Sequence, residues 1–209
     1  GEFGIEQGVF IDLQKKIPVA AGLAGGSADA AAVLIGMNEL FSLGLTQEMM
    51  MERGLRIGAD VPYCILKGTA LAEGIGDRLT ALPPMPDCHI VIAKPAVRVS
   101  TRQVYMSLHL DEKTAHPDID AQADAIRAGD LRGICDQFGN VLEDVTGSIH
   151  PEIDRLKMMM KSEGALNALM SGSGPSVFGI FEDSGAAREC CTRIKREFEA
   201  SQAFTARPV

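Results

Sequence analysis

Fifteen consecutive residues, Pro18-Val19-Ala20-Ala21-Gly22-Leu23-Ala24-Gly25-Gly26-Ser27-Ala28-Asp29-Ala30-Ala31-Ala32, carry no side chain larger than leucine. Gly22, Gly25 and Gly26 let the backbone take turns that other residues resist and let another group approach it closely. Val9, Ile11 and Leu13 ahead of the run alternate with Phe10, Asp12 and Gln14, the period-two pattern of a half-buried strand. Behind it Val33, Leu34, Met37, Leu40 and Phe41 mark one face of a helix that stops at Gly44. Strand, glycine-rich loop and helix in this order place unpaired N–H groups and the positive end of a helix dipole, beginning near Ser27, beside a loop without bulk. That arrangement suits a bound anion, above all a phosphate chain. No Gly-Lys-Ser/Thr closes the run, and the glycine spacing is not that of a dinucleotide fingerprint. A flexible turn with a small-residue helix packed tightly behind it is the alternative reading.

The net charge of −8 makes a local anion cradle necessary for an anionic ligand, because the average surface repels phosphate and acidic lipid. Nucleic acid and membranes are therefore not expected partners. Cys64, Cys88, Cys135, Cys190 and Cys191 form no C-x-x-C pair and no zinc-ligand spacing with the histidines, which points to a reduced, cytoplasmic protein. No apolar run approaches membrane-spanning length.

Further along, Thr46 is a candidate N-cap for a methionine-rich helix that runs out near Gly58. Pro62 is expected to hold Val61 extended, leaving Asp60 at a helix exit. Tyr63 to Leu66 and Thr69 to Ala72 flank Lys67-Gly68 as an expected hairpin, with a second turn at Glu73-Gly74-Ile75-Gly76. Leu82-Pro83-Pro84-Met85-Pro86 breaks any element, so a first domain is expected over 1–84 and a second over 85–209. The second reads as a strand at Cys88 to Ala93, a helix from Thr101 to Leu108 and a polar loop from Asp111 to Asp120. Two or three helices then lead to Pro151. Strands at Leu166 to Met170 and Val177 to Phe181 follow, then a helix from Ala186 to Ala200 and an end strand at Ala203 to Ala206. The whole is an α+β layout.

Three further places could carry chemistry. Asp60 sits between a helix end and a proline turn and is the carboxylate best placed to react, although an aspartate at such a place is more often a turn or cap residue than a base. Ser171-Gly172-Ser173-Gly174-Pro175 joins two apolar strands and could line a phosphate site; Ser171 and Pro175 exclude the G-x-S-x-G elbow of a serine hydrolase. Tyr105 is either a core residue or a flat surface for stacking a base.

Pro18 to Ala32 resembles the glycine-rich second motif of the GHMP kinases, and Gly172-Ser173-Gly174 resembles their third. Ile57-Gly58-Ala59-Asp60-Val61-Pro62, Ala72-Glu73-Gly74-Ile75-Gly76 and the segment from Lys94 to Tyr105 are similar to the diphosphocytidyl-methylerythritol kinase branch. The resemblance implies a two-domain GHMP fold, with a ribosomal S5 domain 2-like N-terminal domain, incomplete here, and a ferredoxin-like C-terminal domain. It implies transfer of the ATP γ-phosphoryl, with Mg2+, to the 2-hydroxyl of 4-diphosphocytidyl-2-C-methyl-D-erythritol. Pro18, Val19, Ala20, Ala21, Gly22, Leu23, Ala24, Gly25, Gly26, Ser27 and Ala28 would wrap the triphosphate, with Ser27 capping the helix and reaching phosphate or magnesium. Asp60 would take or orient the substrate proton, Tyr105 would stack on cytosine, and Thr101, Gly172 and Ser173 would complete the substrate side.

One departure is large. Members of that branch begin with a Pro-x-Lys-x-Asn strand and a Tyr-His pair, neither of which occurs in the 209 residues. The first domain is therefore expected to be a remnant that self-associates or needs a partner, and the chain alone to transfer phosphoryl groups negligibly. The alternatives are another GHMP kinase, acting on homoserine, mevalonate or a sugar, and a non-catalytic nucleotide- or partner-binding module.

Overall fold

The computed structural model describes residues 2–112, 114–198 and 201–209. Two compact units divide the chain. One holds residues 1–19, 24–67 and 72–79, the other residues 20–23, 68–71 and 80–209.

The first unit is built on three helices, α1 (Gly25–Leu40), α2 (Gln47–Leu55) and α3 (Val61–Leu66). Their shared core is Ala31, Val61 and Ile65, with Leu34, Met50 and Met51 packed around it. Gly54 on α2 makes close packing possible: a Cβ there would come within 2.8 Å of Val61 Cγ1. The Asn38 side chain donates to Leu45 O and accepts from Leu45 N–H, at 3.0 and 2.9 Å, which fixes the corner between α1 and α2. Thr46 caps α2 as expected, its side chain accepting from Met49 N–H.

Three expectations fail in this part of the chain. Residues 9–13 form no strand, and Phe10 is 94% exposed. The alternation is present, but no described strand pairs with it, and a lone strand leaves its polar backbone to water. Tyr63 to Leu66 is helix rather than strand, because Val61 and Ile65 sit four residues apart and bury together against α1 and α2. Val61 is accordingly helical, not extended, and Pro62 falls in the first turn, where a missing N–H costs no helix bond. Asp60 thus opens α3 instead of closing α2. The hairpin lies one turn later than expected, between β1 (Ala70–Glu73) and β2 (Arg78–Ala81).

The second unit carries a four-stranded antiparallel sheet of β3 (His89–Lys94), β4 (Asn167–Met170), β5 (Val177–Phe181) and β6 (Gln202–Ala206), in the order β4-β5-β3-β6. His89 pairs with Phe181, Met170 with Val177, and Ile90 with Ala206. Counted within this unit the strand order is 4-1-3-2 with helices after the first and third strands, the ferredoxin-like arrangement. Between β3 and β4 lie α4 (Thr101–Ser107), α5 (Ile119–Ala128), α6 (Leu131–Asp136), α7 (Glu143–Ile149) and α8 (Glu152–Ser162); α9 (Ser184–Glu197) follows β5. The last two residues of the helix expected over Ala186 to Ala200 lie outside the described residues.

Strand periodicity divides the core into two layers. Val91, Val177 and Phe181 join Leu156 and Met160 of α8 and Cys190 and Ile194 of α9 on one face. Ile180 joins Cys88 and Cys135 on the other, with Ile90, Leu166 and Phe178 beside them; Phe138 meets Phe178 edge to face at 5.5 Å. Gly179 lets α8 come close, since a Cβ there would stand 3.0 Å from Met160 Sδ.

Candidate active site

In the first unit, α1 begins without a side-chain cap. Ala24 occupies the cap position in a left-handed conformation (φ 48°), and Ala28 N–H is the first donor of the helix ladder, bonding Ala24 O at 2.9 Å. Ser27, expected to cap, is instead the third helical residue, because the left-handed turn at Ala24 places the cap three residues earlier. The amides ahead of Ala28 thus have no side-chain partner, the condition an anion exploits at a helix start.

A cation that the sequence reading passed over stands at this helix end. Lys15 forms an ion pair with Asp29 on α1, and its Nζ lies 3.4 Å from Gly25 O. The available signal was a Lys15-Lys16 pair immediately ahead of the glycine run in an acidic chain. Asp60 is exposed, and its carboxylate has no hydrogen bond or ion pair among the described residues. Burial, and then the Asp60 charge, push up the pKa of the Cys64 thiol one turn along α3. The corner before Asp60 runs beside the first turn of α1: a Cβ on Gly58 would reach Ser27 Oγ at 4.0 Å. Gly76 in the β1–β2 turn passes the same corner, 3.6 Å from Ala59 O on the same measure.

In the second unit, Ala20–Leu23 lies against the turn between β4 and β5. Ser171 Oγ donates to Gly22 O at 2.7 Å, and Ser176 N–H donates to Ala21 O at 3.3 Å. Gly22 has φ 69°, and a Cβ there would stand 2.5 Å from Ser171 O and 2.8 Å from Gly174 O. Glycine is therefore required twice over, by conformation and by space. The two small-residue loops singled out in the sequence meet here.

The turn itself is held by groups that sequence reasoning did not find. Asn140 Nδ2 donates to Met170 O and Gly172 O, at 2.9 and 2.8 Å, and Thr146 Oγ1 donates to Ser173 O at 3.1 Å. Glu143 Oε1 accepts from Met170 N–H at 2.5 Å, and its other oxygen pairs with Lys157 at 2.6 Å. A buried threonine on a short helix gives no sequence signal of its own. Thr101 and Ser173, both expected at the site, do come together, their hydroxyls 2.9 Å apart. Ser100 accepts from Gln103 N–H and so starts α4. Tyr105, four residues after Thr101 on the same helix, is 59% exposed, which removes the core reading and leaves a free aromatic face.

Residues 1–68 match the GHMP kinases N terminal domain, and residues 122–200 match the GHMP kinases C terminal domain. The chain belongs to the GHMP kinases. It is 53% identical over 205 residues to 4-diphosphocytidyl-2-C-methyl-D-erythritol kinase of Lachnoclostridium phytofermentans, covering 98% of this chain and 70% of that protein. The enzyme of the same name from Lachnospira eligens is 51% identical, with 98% and 71% covered. Among solved structures, a 4-(cytidine 5'-diphospho)-2C-methyl-D-erythritol kinase matches with TM-score 0.78 at 31% identity, over 94% of this chain and 69% of that one. A homoserine kinase from Cytophaga hutchinsonii matches with TM-score 0.79 at 20% identity, over 93% and 68%, which is a likeness of fold. In this GHMP kinase a direct hydrogen bond joins the loop containing Gly22 to the loop containing Ser171, and no helix among the described residues is long and apolar enough to cross a membrane.

Proposed function

We propose that this GHMP kinase transfers the γ-phosphoryl group of ATP to the 2-hydroxyl of 4-diphosphocytidyl-2-C-methyl-D-erythritol, a step in making isoprenoid precursors by the non-mevalonate route. The observation that carries the reading is identity above one half with enzymes of that name across 98% of the chain. Likeness of fold to homoserine and mevalonate kinases comes with only 18–20% identity in three of those structures, and favours neither substrate.

In this reading the backbone from Pro18 to Ala28 wraps the triphosphate, and the uncapped start of α1 supplies donors and positive dipole. Magnesium arrives with the nucleotide. Such an ion is commonly held by one or two side chains together with phosphates and water, and Ser27 Oγ in the first turn of α1 is the group we assign to phosphate or metal. Asp60, with its carboxylate unengaged, accepts or orients the proton of the substrate hydroxyl. Tyr105 stacks on the cytosine, and Thr101, Gly172 and Ser173 line the substrate side. A loose phosphoryl transition state asks mainly for positioning and charge neutralisation, so one carboxylate and a cradle of amides suit it in kind.

Residues 1–84 and 85–209 remain our proposed domains, cytoplasm the proposed compartment, in keeping with five free cysteines. Self-association through the first domain is supported by the exposure of Phe10, Ile11 and Leu13. Melting temperatures measured with ATP, the cytidyl substrate, mevalonate and homoserine test the assignment, because a ligand that binds the folded state raises them. A shift with the cytidyl compound is expected. A shift with mevalonate or homoserine and none with the cytidyl compound would overturn it.

A further inference from the structure

A cavity of about 340 Å³ opens in the second unit between the start of α9 and the edge of the sheet. His89, Ser184, Arg188, Thr205 and Arg207 line it. The sheet register explains how three basic groups gather there. Ile90 pairs with Ala206 in antiparallel strands, so one step further along the ladder puts Arg207 opposite His89. Arg188 comes from the first turns of α9, and α9 crosses both β3 and β6.

The partners of these groups are few. Neither Arg188 nor His89 has a side-chain hydrogen bond or ion pair among the described residues. Arg207 reaches Asp87 only at 4.0 Å, with both side chains mostly in water, an attraction of little strength. Asp183 accepts from Ala186 N–H at 2.7 Å and so already serves the start of α9. The basic side chains, not the helix end, therefore give the cavity its sign. Two hydroxyls, Ser184 and Thr205, add neutral donors at its wall.

We propose that this cavity is an anion-binding site for a phosphorylated small molecule, separate from the glycine-rich loop. Guanidinium groups match phosphate oxygens in planar, two-pronged hydrogen bonds, and two of them with an imidazole suit a dianion better than a single carboxylate. The volume exceeds what inorganic phosphate alone would fill and falls at the lower end of small-molecule sites. In a chain of net charge −8, a pocket with this composition concentrates an anion that the rest of the surface repels.

The test is amide-resolved NMR of the ¹⁵N-labelled chain, titrated with glycerol 3-phosphate, pyrophosphate or inorganic phosphate at constant ionic strength in chloride. Saturable shifts are expected at Ser184, Arg188, Thr205 and Arg207 with the first two probes, and weaker ones with inorganic phosphate. The Arg188→Ser/Arg207→Ser double variant should bind at least about tenfold more weakly. Both side chains are exposed, and an unchanged circular dichroism spectrum will show that the variant is folded. Shifts confined to residues 18–28 would place all phosphate binding at the glycine-rich loop and overturn the proposal. So would equal titration of the parent chain and the double variant, or strongest binding of inorganic phosphate.

Discussion

Replacing Gly22 by alanine tests the contact on which the site is built. At φ 69° an alanine pays for a left-handed backbone, about 1–2 kcal/mol. Its Cβ would also stand 2.5 Å from Ser171 O and 2.8 Å from Gly174 O, both backbone atoms, the first already accepting from Gly174 N–H at 2.9 Å. The loop must then move, and the 2.7 Å bond from Ser171 Oγ to Gly22 O is lost, about 1 kcal/mol more. The expected total is about 2–3 kcal/mol, or a fall in melting temperature of roughly 4–12 °C for a chain of this size. Gly172→Ala is the control. It also has positive φ, at 55°, but its Cβ would meet nothing nearer than Gly22 O at 3.8 Å, so only the conformational cost applies. Ser171→Ala removes the hydrogen bond alone. Urea unfolding of the three variants should rank Gly22→Ala as the most destabilised by about 1 kcal/mol or more over Gly172→Ala. Equal destabilisation of the two glycine variants would refute the close approach.

Asp60→Asn keeps the shape of the corner but removes the charge, so turnover should fall about 10²- to 10⁴-fold with little change in nucleotide affinity, as read by steady-state kinetics and a nucleotide titration. Near-normal kcat would leave Asp60 a turn residue. Glu143→Ala strands the Met170 N–H and leaves the Lys157 ammonium only Asp154, at 3.7 Å, and should cost about 1–3 kcal/mol in urea unfolding, whereas Glu143→Gln, which can still accept from Met170 N–H, should cost less. Burial pushes the thiols of Cys135 and Cys190 up to about 12, against a usual value near 9. Because the folded values are the raised ones, their contribution to stability is complete below pH 9 and is lost as pH rises toward 12; stability against pH should flatten over that window in a Cys135→Ala/Cys190→Ala variant.

The elements read correctly from the sequence are those in which a local signal and the tertiary requirement agree. Thr46 caps α2 as expected because a hydroxyl at that position meets the amide three residues on, whatever the rest of the fold does, and α4, expected from Thr101, starts in the same way at Ser100. Val177 to Phe181 is a strand by composition and remains one because both of its faces are covered. Tyr63 to Leu66 misleads for the opposite reason. A short apolar run next to glycine satisfies helix and strand alike, and it is packing against Ala31, Leu34, Met50 and Met51, all outside the run, that requires Val61 and Ile65 to point the same way. Residues 9–13 show a valid strand pattern that lacks a partner among the described residues, and pattern without partner is not structure.

The candidate site divides along the same line. Its glycines were legible because absence of a side chain is a local fact with a local consequence. The groups that hold those glycines in place were not, because Asn140, Glu143 and Thr146 act across some thirty residues of chain on backbone atoms of the Met170 to Ser173 segment. Nothing in their own neighbourhood marks them, since asparagine after glycine and glutamate opening a helix are ordinary surface residues. What distinguishes them is that their partners are carbonyls and an amide freed where β4 ends and the turn begins, groups that must find donors or acceptors once shielded from water. A turn shaped only by glycine would be free to adopt many conformations. It is the convergence of these three side chains on one short segment that selects the conformation in which Ser171 reaches Gly22.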